Sequence, residues 1–171
     1  MARQVKAKIR VYVEVEEFET DVGSASVTTR APHIIDYSYD FESGTTDGTQ
    51  LDRVWSSDAD LSGAATDTDL SGALASVLNG SNTVVLADLC ILAIENTTAN
   101  GGGDVNVGGD AAAVTGWVAN ASDIVPVKPK GLLLWVAPFG TAVTATTADV
   151  LQRAASSGTV TNKTIVAGRS A

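Results

Sequence analysis

The stretch that most invites chemistry is "ENTTANGGGDVNVGGDAAA", residues 95–113. Glycines and carboxylates at this density suit three uses: a calcium-binding repeat, a phosphate-cradling loop, or a glycine-rich turn between strands. A calcium β-roll needs G-G-x-G-x-D-x-U-x to recur about every nine residues, so that adjacent turns share ligands. Gly101-Gly102-Gly103-Asp104 and the following Gly108-Gly109-Asp110 lack that spacing, and no further copy follows. A phosphate loop needs a Lys and a Ser or Thr opening a helix, and neither is present. The segment therefore reads as a hairpin, with one strand ending at Glu95 and a turn over residues 100–103. The return strand carries Val105 and Val107, and Gly108-Gly109 makes another turn.

Other reactive types are scarce. His33 is the only histidine, so a nucleophilic triad or a multi-histidine metal site would have to use it. It follows Pro32 at the start of a strand and reads as a surface residue. Cys90 is the only cysteine, which rules out an intrachain disulfide. Within "LCILAI" it reads as a buried, unreactive thiol. Asp58, Asp60, Asp67, Asp69, Asp104, Asp110 and Asp123 would suit weak calcium binding or an acid/base pair only if brought face to face. They read as solvated loop charge. Trp55, Trp117 and Trp135, spread over different strands, read as core and interface packing rather than a sugar platform. The Asn-x-Ser/Thr sequons at Asn79, Asn96, Asn120 and Asn162 read as chance in a Thr-rich chain. The expectation is a non-enzyme with no catalytic residue, no cofactor and no metal.

The elements that position these residues follow from composition and period. The chain has 171 residues, of which 44% are hydrophobic and only 18% charged. Thr, Ser, Gly, Ala and Val fill the remainder, and β-branched side chains suit strands better than helices. A formal charge of −9 repels phosphate backbones, so direct nucleic-acid binding is not expected. No apolar run reaches the roughly 18 residues of a membrane helix. "MARQVKAKIR" has a basic start without an apolar core, so it does not read as a secretory signal, and accumulation in a cytoplasm is expected.

The first segment reads as one long strand. Val5, Ala7, Ile9, Val11, Val13 and Val15 alternate with Lys6, Lys8, Arg10, Glu14 and Glu16, a period of two that a helix would scatter around its circumference. "HIIDYSYDF" alternates likewise, with Ile35, Tyr37, Tyr39 and Phe41 apolar, and so gives a second strand. So long an apolar face needs a cover, either local or from another subunit. Val5, Ala7, Ile9, Val11, Val13, Val15, Tyr37 and Tyr39 are therefore candidate inter-subunit contacts. Asp47-Gly48 marks a turn and "LDRVWSS" a short strand. From Asp58 to Ser81 no period-2 order is visible, and one short helix is expected. Its N-cap is Thr68 or Asp69, its apolar face Leu70, Leu74 and Leu78, and its stop Asn79-Gly80. "NTVVLADLCILAIEN", "DVNVG", "GWVA", "DIVPVKP", "GLLLWVAP", "TADVLQRAA" and "TVTNKTIVAGRS" complete a run of strands separated by turns, the pattern of an antiparallel sandwich or barrel. The apolar runs 89–94 and 132–136 read as central strands with both faces covered.

The order of elements after Asp69 resembles small tailed-phage virion proteins. The resemblance is carried by the Leu-rich turn from Leu70 to Leu78, the strand ending at Asn96 and the hairpin from Val105 to Gly109. Lys130-Gly131 before Leu132 to Leu134 and a terminal strand with Gly168 to Ser170 complete it. It covers about the C-terminal two-thirds of the chain and implies that residues 57–171 form a jelly-roll-like antiparallel β-sandwich; residues 1–56 lie outside it and read, from their own alternation, as an N-terminal strand arm or hairpin region of an all-β chain. It further implies a non-enzymatic capsid decoration or cement protein on the virion exterior, made in the host cytoplasm. Its partners would be the major capsid protein and further copies of itself, as a dimer or trimer, with no nucleic acid, membrane or small-molecule substrate. A tail or head-fibre subunit, or a glycan-binding β-sandwich, is the alternative.

Overall fold

The computed structural model describes residues 4–20, 28–72, 74–75 and 83–171. Its strands are β1 (Ala7–Thr20), β2 (Thr28–Ser43), β3 (Gln50–Leu51), β4 (Arg53–Ser62), β5 (Thr66–Asp69), β6 (Leu74–Ala75) and β7 (Thr83–Val84). Then come β8 (Asp88–Asn96), β9 (Val105–Gly108), β10 (Ile124–Val127), β11 (Leu132–Ala142), β12 (Val150–Ala155) and β13 (Thr159–Arg169). The chain is all-β and divides into two compact units, Ala7–Phe41 and Glu42–Ala171, the latter with the residues preceding Ala7. That division lies upstream of the expected boundary at residue 56. The reason is pairing: β4 forms a ladder with β13, from Arg53 opposite Gly168 to Ser62 opposite Thr159, so residues 53–56 belong to the larger unit.

The larger unit is an antiparallel β-sandwich of two four-stranded sheets, ordered β11-β8-β13-β4 and β10-β9-β12-β5. The pairs β4 with β13, β5 with β12, β8 with β11 and β9 with β10 nest inside one another along the chain. The inner faces supply the core: Leu61, Leu92, Ile94, Val160 and Val166 from one sheet, and Val105, Val107, Val127 and Leu151 from the other. β13 shows why the sequence folds this way. Val160, Asn162, Thr164 and Val166 are buried while Thr161, Lys163 and Ile165 are exposed, an alternation that sets one face inward. Each fully buried Leu or Val contributes about 1.5–3 kcal/mol over leaving it in water. One row runs across the whole sheet in register, Trp55–Val166–Leu92–Trp135. A tryptophan thus closes each end, and all three tryptophans pack against the core, Trp117 meeting Trp135 edge-on at 6.0 Å.

A polar seam crosses this core. Arg153, 2% exposed on β12, donates through Nη1 to Asn162 Oδ1 (3.1 Å) and Thr164 Oγ1 (2.8 Å), and through Nη2 to Thr68 Oγ1 (3.0 Å). Its guanidinium lies 5.6 Å from the Trp55 ring centre. It therefore ties the two sheets together by neutral acceptors and a π face, and burial lowers its pKa. Asn162 Nδ2 donates to Ala59 O (3.0 Å). Asn96, opposite Asn162 on β8, donates to Gly103 O (3.0 Å) and Val127 O (2.9 Å). These bonds answer the cost of burying amides, about 1–3 kcal/mol for each group left unpaired. They also account for two sequons, because Asn96 and Asn162 are fully enclosed.

Several expectations change. β8 and β9 lie in different sheets, so residues 97–104 form a crossover between sheets and not a hairpin turn. Glycines serve either reading, and only the partners of β8 and β9 distinguish them. Residues 58–62, which show no evident period in the sequence, complete β4. Asp58 and Asp60 face out, and the small Ala59 conceals the alternation that Leu61 completes. The expected helix after Asp69 is replaced by a turn. Asp69 Oδ1 accepts from the N–H groups of Ser71 (2.9 Å) and Gly72 (2.7 Å), the bonds an N-cap would make. Leu70 N–H, however, goes to Asp149 O, and Leu74 pairs with Val84. Leu78 and Asn79-Gly80 lie outside the described residues. "GWVA" is turn rather than strand, and β11 is an edge strand whose Leu132 is 63% exposed, not a central one.

The smaller unit is a long antiparallel hairpin, β1 with β2, in register from Ala7 opposite Phe41 to Thr20 opposite Thr28. Glu42 and Ser43, the last residues of β2, belong to the larger unit and pair in parallel with β3. Among the described residues no helix is long and apolar enough to cross a membrane.

Candidate functional site

Directly opposed residues of an antiparallel pair share a face, so the register decides where the two alternating sequences meet. Ile9 lies opposite Tyr39, Val11 opposite Tyr37, Val13 opposite Ile35 and Val15 opposite His33. The apolar residues of both strands thus fall on one face. The other face carries Lys8 opposite Asp40, Arg10 opposite Ser38, Tyr12 opposite Asp36 and Glu14 opposite Ile34.

The apolar face is not uniformly open. Val5 and Ile9 are buried, Ala7, Val11 and Tyr39 are half-buried, and Tyr39 packs on Phe41 with ring centres 4.7 Å apart. Val13, Val15, Ile35 and Tyr37 are exposed, Ile35 by 62%. The eight candidate contacts therefore split, and Val13, Val15 and Tyr37 remain open to a partner. Ile35, an exposed apolar residue of the same face, joins them, whereas Ile34, also exposed, lies on the other face opposite Glu14. A contiguous exposed apolar strip marks an interaction surface more often than isolated apolar residues do.

Electrostatics on the polar face are those of solvated charges. Lys8 Nζ stands 3.4 Å from Asp40 Oδ2, with both side chains more than half exposed, so the pair contributes little in water. Tyr12 donates its hydroxyl to Glu14 Oε2 at 2.7 Å. That bond chiefly, with desolvation and the nearby Asp36 carboxylate, holds the phenol above its usual pKa.

Apart from His33, the residue types that suggested chemistry lie outside the hairpin. Cys90 is buried in β8, and burial pushes its thiol up to about 11, so the nucleophilic thiolate is scarce at neutral pH. His33 stands at the register position opposite Val15, and its side chain lies outside the described residues. Asp104 holds Lys128 Nζ at 2.7 Å. Asp110 accepts from Ala112 N–H at 2.7 Å, and Asp149 from Ser71 Oγ and Thr146 N–H. Among the described residues no three His, Cys, Asp or Glu side chains group as metal ligands would.

Sequence reasoning missed the buried arginines. Arg169, 1% exposed, donates to Pro138 O (3.0 Å) and Phe139 O (2.7 Å) and pairs with Asp47 (2.8 Å) and Asp88 (3.3 Å), which clamps the bulge of β11. An arginine at an inward position of an alternating strand is the one signal that could have found Arg153. Comparison with known proteins adds no relative: no family model, no curated protein and no solved structure matches the chain.

Proposed function

We propose that the chain is a non-enzymatic virion structural protein that binds the outer surface of a phage capsid and stabilises it by bridging neighbouring major capsid subunits. The observation that carries this reading is the open apolar strip of the hairpin, Val13, Val15, Ile35 and Tyr37, in a chain whose other unit already closes its apolar inner faces on each other. The nested pairing of the sandwich strands supports the jelly-roll-like sandwich that the resemblance to tailed-phage virion proteins implies. An acidic chain, at −9, suits a place outside a DNA-filled shell. A protein that binds only the assembled lattice stabilises it by its binding free energy at every site, and repeated contacts add avidity.

The test is co-sedimentation of the purified chain with mature capsids, empty and DNA-filled. Saturable binding to both, with a raised melting temperature of the particle, is expected, and absence of binding to either would overturn the proposal. The fibre or glycan-binding alternative predicts retention on a glycan array instead. The tryptophans a sugar platform would use are packed against the core, so no retention is expected.

A further inference from the structure

We propose that β1 pairs antiparallel with β1 of a second copy of this chain, across a two-fold axis at Tyr12, and so joins two hairpins into one sheet. The inference deepens the adhesive reading above by naming the hairpin's first partner.

β1 stands at the end of the order β1-β2-β3, so among the described residues no strand pairs with the other side of its backbone. The neighbouring β2 carries Pro32, a residue that weakens a strand as a template, whereas β1 contains no proline. A lone two-stranded ribbon is marginal in water, and added strands beside an apolar face are what stabilise it. A long, regular, unguarded edge is such a template.

Charge then selects the occupant and the register. On the polar face β2 offers Asp40 to Lys8 and Asp36 to Tyr12, but it places Ser38 opposite Arg10 and Ile34 opposite Glu14. Arg10 and Glu14 thus have no opposite charge directly opposed to them in the hairpin, and they stand two residues to either side of Tyr12. A two-fold axis at Tyr12 places Arg10 opposite Glu14 of the second copy, and Glu14 opposite its Arg10. The same register sets Lys8 opposite Glu16, Ile9 opposite Val15 and Val11 opposite Val13, each twice by symmetry.

Odd positions meet odd positions, so the two apolar faces become one continuous face, and a slip of one residue would destroy this. With the axis at Val11, Arg10 would face Tyr12; with the axis at Val13, Lys8 would face Phe18. The Tyr12 register alone matches both cations, and it adds an aromatic pair, Tyr12 against Tyr12, where each ring is now 60% exposed. Parallel pairing in register would instead set like charges side by side. The chain is therefore complementary to itself.

The test uses the full-length chain in sedimentation velocity, where a species of twice the chain mass is expected. Arg10→Glu turns two symmetric attractions into two repulsions and weakens the dimer by about 30-fold. Glu14→Arg does the same, and the double swap R10E/E14R restores dimerisation, which a merely misfolded single variant could not do. In a Cys90→Ala background, Tyr12→Cys cross-links to itself on mild oxidation, whereas Ser38→Cys on β2 stays uncross-linked. A chain that is monomeric at every concentration, single reversals without effect, or no cross-link at position 12 would overturn the pairing. A monomer that still coats capsids refutes the pairing and leaves the proposed function standing, while a dimer that ignores capsids does the reverse.

Discussion

The hairpin Ala7–Phe41 and the sandwich Glu42–Ala171 are built on the same alternating pattern and end in opposite conditions. In β13 the inward Val160 and Val166 meet a second sheet and lose contact with water entirely. In β1 the equivalent positions Val13 and Val15 face the same side with equal regularity, yet they remain 43% and 57% exposed. Period two therefore gives a face to a strand but no cover to the face. Where the chain supplies a second sheet the pattern makes a core, and where it supplies only one neighbouring strand it leaves an exposed apolar surface.

The comparison can be broken by equal insults to the two regions. Leu92→Ala removes a side chain at the centre of the Trp55–Val166–Leu92–Trp135 row and should cost about 3–4 kcal/mol in urea unfolding. Val13→Ala should cost less than about 0.5 kcal/mol in the same assay, as for exposed substitutions generally, while weakening capsid binding. Equal losses of stability would mean that the hairpin face is closed after all.

Gly168→Ala comes next. A Cβ there would run into the Asp88 carbonyl at the bulge between β13 and β8. The ladder would have to shift, at about 1–3 kcal/mol.

Cys90 gives a smaller effect with a defined pH window. Its folded pKa, about 11, lies above the ordinary 9.0. Between these values the unfolded chain releases a proton that the folded chain keeps, so stability falls as pH rises through the window and is constant below it. The slope reaches at most about 1.4 kcal/mol per pH unit. Cys90→Ala should flatten that part of the pH–stability curve, and an unchanged curve would refute the burial of the thiol. The smallest expected effect is zero: EDTA should leave the melting temperature where it is, because Asp104 and Asp110 are engaged by Lys128 and by Ala112 N–H. A shift of many degrees would restore a calcium role to the glycine-rich crossover.

Read alone, the amino-acid order determined the all-β class, the two alternating strands β1 and β2, the turn at Asp47-Gly48, where Gly48 takes a φ of 81°, and the burial of Cys90. These follow from local causes: side-chain period, β-branching and the freedom of glycine at positive φ. The candidate contacts were legible as a face, because the register of β1 with β2 preserves parity, but their exposure was not. Burial depends on what packs above a residue, so Val5 and Ile9 were indistinguishable from Val13 and Val15 in the sequence. Only the tertiary structure decided that residues 97–104 cross between sheets, that Asp69 caps a turn and not a helix, and that Arg153 lies across the core on Asn162, Thr164 and Thr68. The deciding partners are distant in the chain: β9 pairs with β12, Leu70 N–H goes to Asp149 O where a helix would keep it local, and Arg153 reaches Thr68.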